Sequence, residues 1–215
     1  MGKDLADCRI YVIAGTNGAG KSSVAGEAFL AAGSEYFNPD EATRRILQCN
    51  RGLSLQEANS AAWRLGKGLL ERAIAERATF AFETTLGGRT ITSLLEQAAS
   101  SGIDVRIWYV GLSSPELHIQ RVRSRVARGG HDIPEEKIRE RYHQSRLNLI
   151  RLLPHVTELL LYDNSEEADP SAGARPRPKL LLHLFRGEVL ALCSLAEVPD
   201  WAKPIMVATI RRGQR

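Results

Sequence analysis

Residues 15 to 22 read Gly15-Thr16-Asn17-Gly18-Ala19-Gly20-Lys21-Ser22, and they follow the apolar run Ile10 to Ala14 without a break. The octapeptide fits the pattern G-x-x-x-x-G-K-[ST] in the strand-to-helix context on which that pattern depends. Gly15, Gly18 and Gly20 let the backbone fold tightly enough for successive N–H groups to converge on the oxygens of one phosphate, with the positive end of the next helix behind them. The spacing predicts a nucleotide-binding loop made by Gly15, Thr16, Asn17, Gly18, Ala19, Gly20, Lys21, Ser22 and Ser23. Lys21 is expected to reach the β- and γ-phosphates of ATP or GTP, and Ser22 to ligate Mg²⁺.

Working outward, 215 residues that are 43% hydrophobic and 25% charged suffice for one substantial core, most simply one α/β domain with additions. Lys+Arg 29 against Asp+Glu 25 leaves a net charge of +4. Phosphate-handling arginines account for that surplus without a nucleic-acid partner. An aromatic content of 6%, with no basic and aromatic stripe, argues against a surface that stacks single strands. Cys8, Cys49 and Cys193 show neither metal spacing nor a disulfide framework, so a cytoplasmic location is expected. No apolar stretch approaches the ~20 residues of a membrane span, and Met1 to Asp7 lacks a secretory apolar segment.

Short apolar runs alternate with longer periodic segments, the order of a mainly parallel sheet with crossover helices. Strands are expected at Arg9 to Ala14, Glu35 to Asn38, Thr79 to Phe82, Asp104 to Gly111 and Glu158 to Tyr162. Helices are expected from Lys21 to Ala31, from Pro39, from Ser54 to Arg77, from Thr90 to Ser101, from Ser113 to Arg128 and from Pro134 to Leu153. The Ser54 helix opens with the capping box Ser54-Leu55-Gln56-Glu57 and turns Ala58, Ala62, Leu65, Leu69 and Ala73 inward. The last helix turns Ile138, Tyr142, Leu149 and Leu153 inward. Residues 1–168 form the expected main domain. Asp169 to Pro178, rich in proline, reads as an exposed loop. Lys179 to Phe185 and Glu188 to Leu192 flank Arg186-Gly187 as a hairpin, so that residues 179–215 pack on the same domain.

In open parallel sheets ligands lie beyond the carboxyl ends of the strands. That rule selects Asn38-Pro39-Asp40 after the second strand and Glu83-Thr84-Thr85 after the third, and it puts Asp40 and Glu83 on one rim with Lys21. The bland alternative makes Asp40 a helix-start carboxylate favoured by the macrodipole. Glu83, ending an apolar strand, needs a partner there. Arg106 to Gly111 ends without the carboxylate of nucleotide hydrolases, so Mg²⁺ leans on Ser22, phosphate oxygens and water, with Asp40 or Glu83 behind. This favours small kinases over ATP-driven motors. Arg121, Arg125 and Arg128 recur at helical spacing, and the hinge Gly129-Gly130 separates them from Arg139 and Arg141. An anion between these like charges relieves their repulsion, as in a lid over a transferring phosphoryl group. The alternative is a solvated face paired with Glu135, Glu136 and Glu140. His131 reads as a loop or packing histidine.

Taken together, Gly15 to Ser22, Phe37-Asn38-Pro39-Asp40, Phe82-Glu83-Thr84-Thr85-Leu86, Arg128-Gly129-Gly130-His131-Asp132-Ile133-Pro134 and Arg141-Tyr142 resemble the zeta-toxin family of P-loop kinases, over about residues 8 to 165. Pro199-Asp200-Trp201-Ala202-Lys203-Pro204 resembles its compact bacterial branch. The resemblance implies an α/β three-layer sandwich of the P-loop kinase type, with a helical lid and a C-terminal hairpin added. It also implies transfer of a phosphoryl group from ATP or GTP to a hydroxyl, which in characterised members is the 3′-hydroxyl of UDP-N-acetylglucosamine. By position Asp40 resembles the family's catalytic base, Glu83 with Thr84 and Thr85 its acceptor site, and Arg128 and Arg141 its phosphate-contacting arginines. An antitoxin protein is the implied partner. A nucleic-acid end kinase, a nucleoside kinase and a nucleotide-gated binding module are the rival expectations.

Overall fold

The computed structural model describes residues 8–21, 24, 36–130, 132–166 and 178–213. Its strands are β1 (Arg9–Ala14), β2 (Tyr36–Phe37), β3 (Phe80–Thr84), β4 (Asp104–Gly111), β5 (Glu158–Asp163), β6 (Lys179–Phe185) and β7 (Glu188–Leu192). The helices are α1 (Pro39–Cys49), α2 (Leu55–Glu76), α3 (Arg89–Ser100), α4 (Pro115–Val126), α5 (Glu135–Leu152) and α6 (Lys203–Gly213). All seven strands form one sheet in the order β2-β3-β1-β4-β5-β6-β7. The first five are parallel, and the β6–β7 hairpin adds antiparallel to β5. β1 sits between β3 and β4, where the chain changes direction across the sheet, and a crevice opens at such a switch point.

Burial on both faces of β1 follows from its place in the middle. Ile10, Val12 and Ala14 join the main core with Leu70, Leu95, Ile107, Leu149 and Leu159. Tyr11 and Ile13 face the other way, against Ala81 and Trp108. An uninterrupted apolar run is what a doubly covered parallel strand requires. Among the described residues no helix is long and apolar enough to cross a membrane.

Several boundaries differ from expectation. β3 runs through Thr84, so Glu83 and Thr84 are its last two residues, in register with Ile13 and Ala14 of β1. The capping box at Ser54 and Glu57 forms, but the buried stripe of α2 is Ala58, Ala62, Gly66, Leu70 and Ala73. Leu65 is 51% exposed. The stripe passes through Gly66 because the Phe37 ring lies directly on it: a Cβ there would stand 2.4 Å from Phe37 Cε1. The inner face of α5 is more polar than periodicity suggests, since Ser145 and Asn148 are buried with Ile138, Tyr142 and Leu149. Ser145 Oγ accepts from the Tyr109 hydroxyl at 3.0 Å, and Asn148 Nδ2 donates to the Leu86 carbonyl at 2.8 Å. Arg186 and Gly187 both take positive φ, 49° and 85°, the pairing that a two-residue hairpin turn needs. Most of the helix expected after Lys21, and residues 169–177 of the expected loop, lie outside the described residues.

Candidate active site

The phosphate loop joins β1 to the helical turn that begins at Lys21. Gly15 and Gly18 have φ of 142° and 84°, which an L side chain rarely adopts. Both are also pressed against other backbone: a Cβ at Gly15 would lie 2.2 Å from the Val110 carbonyl oxygen, and one at Gly18 would lie 2.6 Å from that of His118. The loop therefore rests on the end of β4 and the first turns of α4. His118 ties it further, with Nδ1 2.8 Å from the Asn17 carbonyl oxygen. Asn164, just after β5, donates from Nδ2 to the Ala19 carbonyl at 2.9 Å.

Lys21 is buried. Its Nζ donates to the Gly15 carbonyl at 2.7 Å and lies 3.4 Å from Glu83 Oε1. The other Glu83 oxygen accepts from the Tyr36 hydroxyl at 2.7 Å and from Asn38 Nδ2 at 3.3 Å. Burial, with the Glu83 charge beside it, pushes the Tyr36 phenol far above its ordinary pKa, so it remains a donor. Glu83 thus has the partner that a carboxylate at this depth requires.

Asn38 caps α1, its Oδ1 accepting from the N–H groups of Asp40 at 2.8 Å and Glu41 at 3.2 Å. Asp40 accordingly stands on the first turn of α1, at the positive end of the helix. Arg125 reaches it from α4, with NH1 3.4 Å from Asp40 Oδ2. Thr84 and Thr85 turn their hydroxyls back on the chain, where they accept from Leu86 N at 3.0 Å and Gly87 N at 3.4 Å. Leu86 is buried with φ of +52°, a conformation costly for this residue and held by the bond from Asn148.

Of the expected lid arginines, Arg141 comes to the loop: its NH1 donates to Asn17 Oδ1 at 2.8 Å. Burial lowers its pKa, opposed by the Glu140 and Asp40 charges, so the guanidinium is held where its charge lacks full solvation. Arg128 does not meet the rim in this structure. It is exposed, with Nε donating to the Ser124 carbonyl at 3.0 Å, and Arg125 is the α4 arginine that meets the rim. The remaining arginines are engaged elsewhere: Arg121 with the Glu166 carbonyl, Arg123 with Glu135, and Arg139 with Glu116. Ser22, Ser23 and His131 lie outside the described residues.

A cavity of about 510 Å³ opens beside these groups. Asp40, Glu83, Thr84, Thr85 and Arg141 line it, with α1 and α2 forming one wall and residues 132–141 the other. Lys21 Nζ lies 3.4 Å from Glu83, one of the lining residues. A phosphate held by the loop and a hydroxyl held in the cavity would share one rim. No motif signals His118, whereas Arg125 belongs to the helical repeat of arginines expected to form the lid.

Loop and sheet order together define a P-loop enzyme of the kinase type. A family model described as Zeta toxin matches residues 4–168, and the chain belongs to that family. An uncharacterized protein of Haemophilus influenzae is 30% identical over 133 residues, 60% of this chain and 88% of that one. Among solved structures, the AvrRxo1-ORF1:-ORF2 complex with ATP matches with a TM-score of 0.62 at 16% identity, over 94% of this chain and 64% of that one. The PezAT toxin-antitoxin system of Streptococcus pneumoniae matches at 0.52 and 15% identity, over 98% and 88%. The chain spans less than two thirds of the AvrRxo1 chain it matches. At such identities these two likenesses speak for the fold alone.

Proposed function

We propose that the protein transfers the γ-phosphoryl group of ATP to a hydroxyl of a small molecule seated in the 510 Å³ cavity. One observation carries this reading: Asp40 and Glu83 line that cavity while Lys21, on the phosphate loop, lies 3.4 Å from Glu83. Asp40 takes the acceptor proton as the hydroxyl oxygen bonds to the γ-phosphorus, and the bond from that phosphorus to the β,γ-bridging oxygen breaks to release ADP. Lys21 exchanges Glu83 for phosphate oxygens when nucleotide enters. That exchange frees one Glu83 oxygen for the acceptor, while Tyr36 and Asn38 keep the carboxylate in place. Arg141, drawn from Asn17 towards the γ-phosphate, balances charge that builds up in transfer.

Among the described residues no cluster of three His, Cys, Asp or Glu side chains fits a protein-bound metal. A Mg²⁺ arriving on the nucleotide would be held by Ser22, with Asp40 or Glu83 near it, and would neutralise phosphate charge. Family membership makes UDP-N-acetylglucosamine the first acceptor to test and an antitoxin the first protein partner. Incubation with labelled ATP, Mg²⁺ and this sugar nucleotide, then with a metabolite extract, tests the reading. Label passing to an alcohol with one ADP per transfer is expected, whereas ADP and free phosphate as the sole products under both conditions would reject it.

A further inference from the structure

Within the phosphate loop, Ala19 donates its N–H to the Thr16 carbonyl at 3.1 Å, whereas among the described residues no acceptor meets the N–H of Gly18 or of Gly20. These two N–H groups belong to the peptide units Asn17–Gly18 and Ala19–Gly20. Each unit is gripped by its carbonyl from outside the loop. His118 Nδ1 donates to the Asn17 oxygen at 2.8 Å, and Asn164 Nδ2 donates to the Ala19 oxygen at 2.9 Å.

In a trans peptide the carbonyl and the following N–H point in opposite directions, and no described peptide bond is cis. Holding the two oxygens against α4 and the end of β5 therefore turns the Gly18 and Gly20 N–H groups away from both elements. That is the side on which a nest of loop N–H groups takes a phosphate. Gly18 and Gly20 have φ of 84° and 83°, and glycine gives these units little stiffness of their own, so their direction depends on the two side chains.

Both side chains are themselves fixed. The His118 imidazole is buried, with the Tyr142 ring edge-on at 5.6 Å. Asn164 donates its own N–H to the Gly111 carbonyl at 3.0 Å, and its amide lies so close to the loop that a Cβ on Gly20 would stand 2.4 Å from Nδ2. The other end of that amide, Oδ1, is buried without a hydrogen-bond partner. An orphaned acceptor costs stability, so packing alone does not account for a carboxamide here. What it secures is the direction of the Ala19–Gly20 unit.

We propose that His118 and Asn164 are positioning residues for the nucleotide, which set the Gly18 and Gly20 N–H groups on its phosphates in advance while touching only the loop backbone. This rests on the kinase reading in one respect, that the loop binds nucleotide phosphates. Preset donors need no reorganisation when the phosphates arrive.

Calorimetry with ATP and with inorganic tripolyphosphate, beside urea unfolding, tests the assignment. Asn164→Ala is expected to weaken both ligands about tenfold with little change in the urea midpoint, because the Ala19 oxygen replaces Asn164 Oδ1 as the one unpaired buried acceptor. His118→Leu is expected to weaken both by a similar factor. His118→Asn, whose amide donates from near the place of Nδ1, is expected to restore affinity to within about threefold. Leu184→Val, in the core on β6, is the control: its urea midpoint is expected to fall while both affinities stay. Unchanged affinity in Asn164→Ala and His118→Leu, a loss of ATP that tripolyphosphate does not share, or an equal loss in Leu184→Val overturns the proposal. If the wild type binds neither ligand, the nucleotide reading itself falls and takes the proposal with it.

Discussion

The imidazole Nδ1 of His118 lies 2.8 Å from the carbonyl oxygen of Asn17, and the Asn17 side chain accepts from Arg141 at 2.8 Å. One loop residue thus joins α4 and α5 to the phosphate site. A carbonyl only accepts, so His118 carries its proton on Nδ1. Burial, with the charges of Lys21, Arg121 and Arg146 adding to it, lowers the His118 pKa to about 4 despite the bond to Asn17.

A pH dependence of stability follows from that neutral histidine. Below the ordinary value of about 6.5 the unfolded chain binds a proton that the folded protein refuses, so stability present above pH ~6.5 is lost as the pH falls towards ~4. The loss is on the order of 3 kcal/mol across the window. Urea unfolding of wild type and His118→Asn between pH 4.5 and 7.5 measures it. The variant is expected to show a shallower slope, and parallel curves would assign the dependence to other groups.

The proposed division of labour between Lys21 and Asp40 separates binding from transfer. Lys21→Ala is expected to weaken ATP binding and to remove transfer together. Asp40→Asn keeps the cap at Asn38 and is expected to bind ATP within about twofold of wild type while transfer falls by about 10²-fold or more. Calorimetry with ATP alongside product formation distinguishes the two. Equal losses of affinity would contradict the assignment.

Arginine position gives a sharper comparison. The period that carries Arg121 and Arg125 stops at Val126, where Gly129 takes a φ of 89° and the Gly130 N–H bonds back to the Arg125 carbonyl at 3.0 Å. Arg128 consequently leaves the phase of the helix. Arg125→Ala and Arg141→Ala are each expected to slow transfer, Arg141→Ala by about 10³-fold, while Arg128→Ala costs less than about tenfold. Single-turnover rates at saturating ATP provide the test, and a larger loss in Arg128→Ala than in Arg125→Ala would reverse the ranking.

These arginines also mark what the sequence makes legible. Asp104–Gly111, the hairpin of Lys179–Phe185 with Glu188–Leu192, and the capping box at Ser54 depend on local pattern and lie where pattern puts them. The approach of Glu83 to Lys21 follows from the pairing of β3 with β1 and is legible too. His118 beneath Asn17, Asn148 on Leu86 and Phe37 on Gly66 join residues 101, 62 and 29 positions apart. Such pairings are settled by how whole elements pack, and no periodicity within one segment contains them.

The contact of Phe37 with α2 predicts opposite outcomes for two nearby glycines. Gly66→Ala would bring a methyl within 2.4 Å of the Phe37 ring, and the ring is part of the packed wall of the site. The expected cost is about 1–3 kcal/mol through overpacking. Gly68 is exposed in the same helix, and a Cβ there meets nothing within 4 Å. Gly68→Ala is therefore expected to stabilise by about 0.5–1 kcal/mol through the restricted unfolded chain and better helix propensity. Urea midpoints for both variants, compared at equal m-values, decide the matter. If both substitutions stabilise, the Phe37 ring moves aside freely and α2 is not held where the cavity wall requires it.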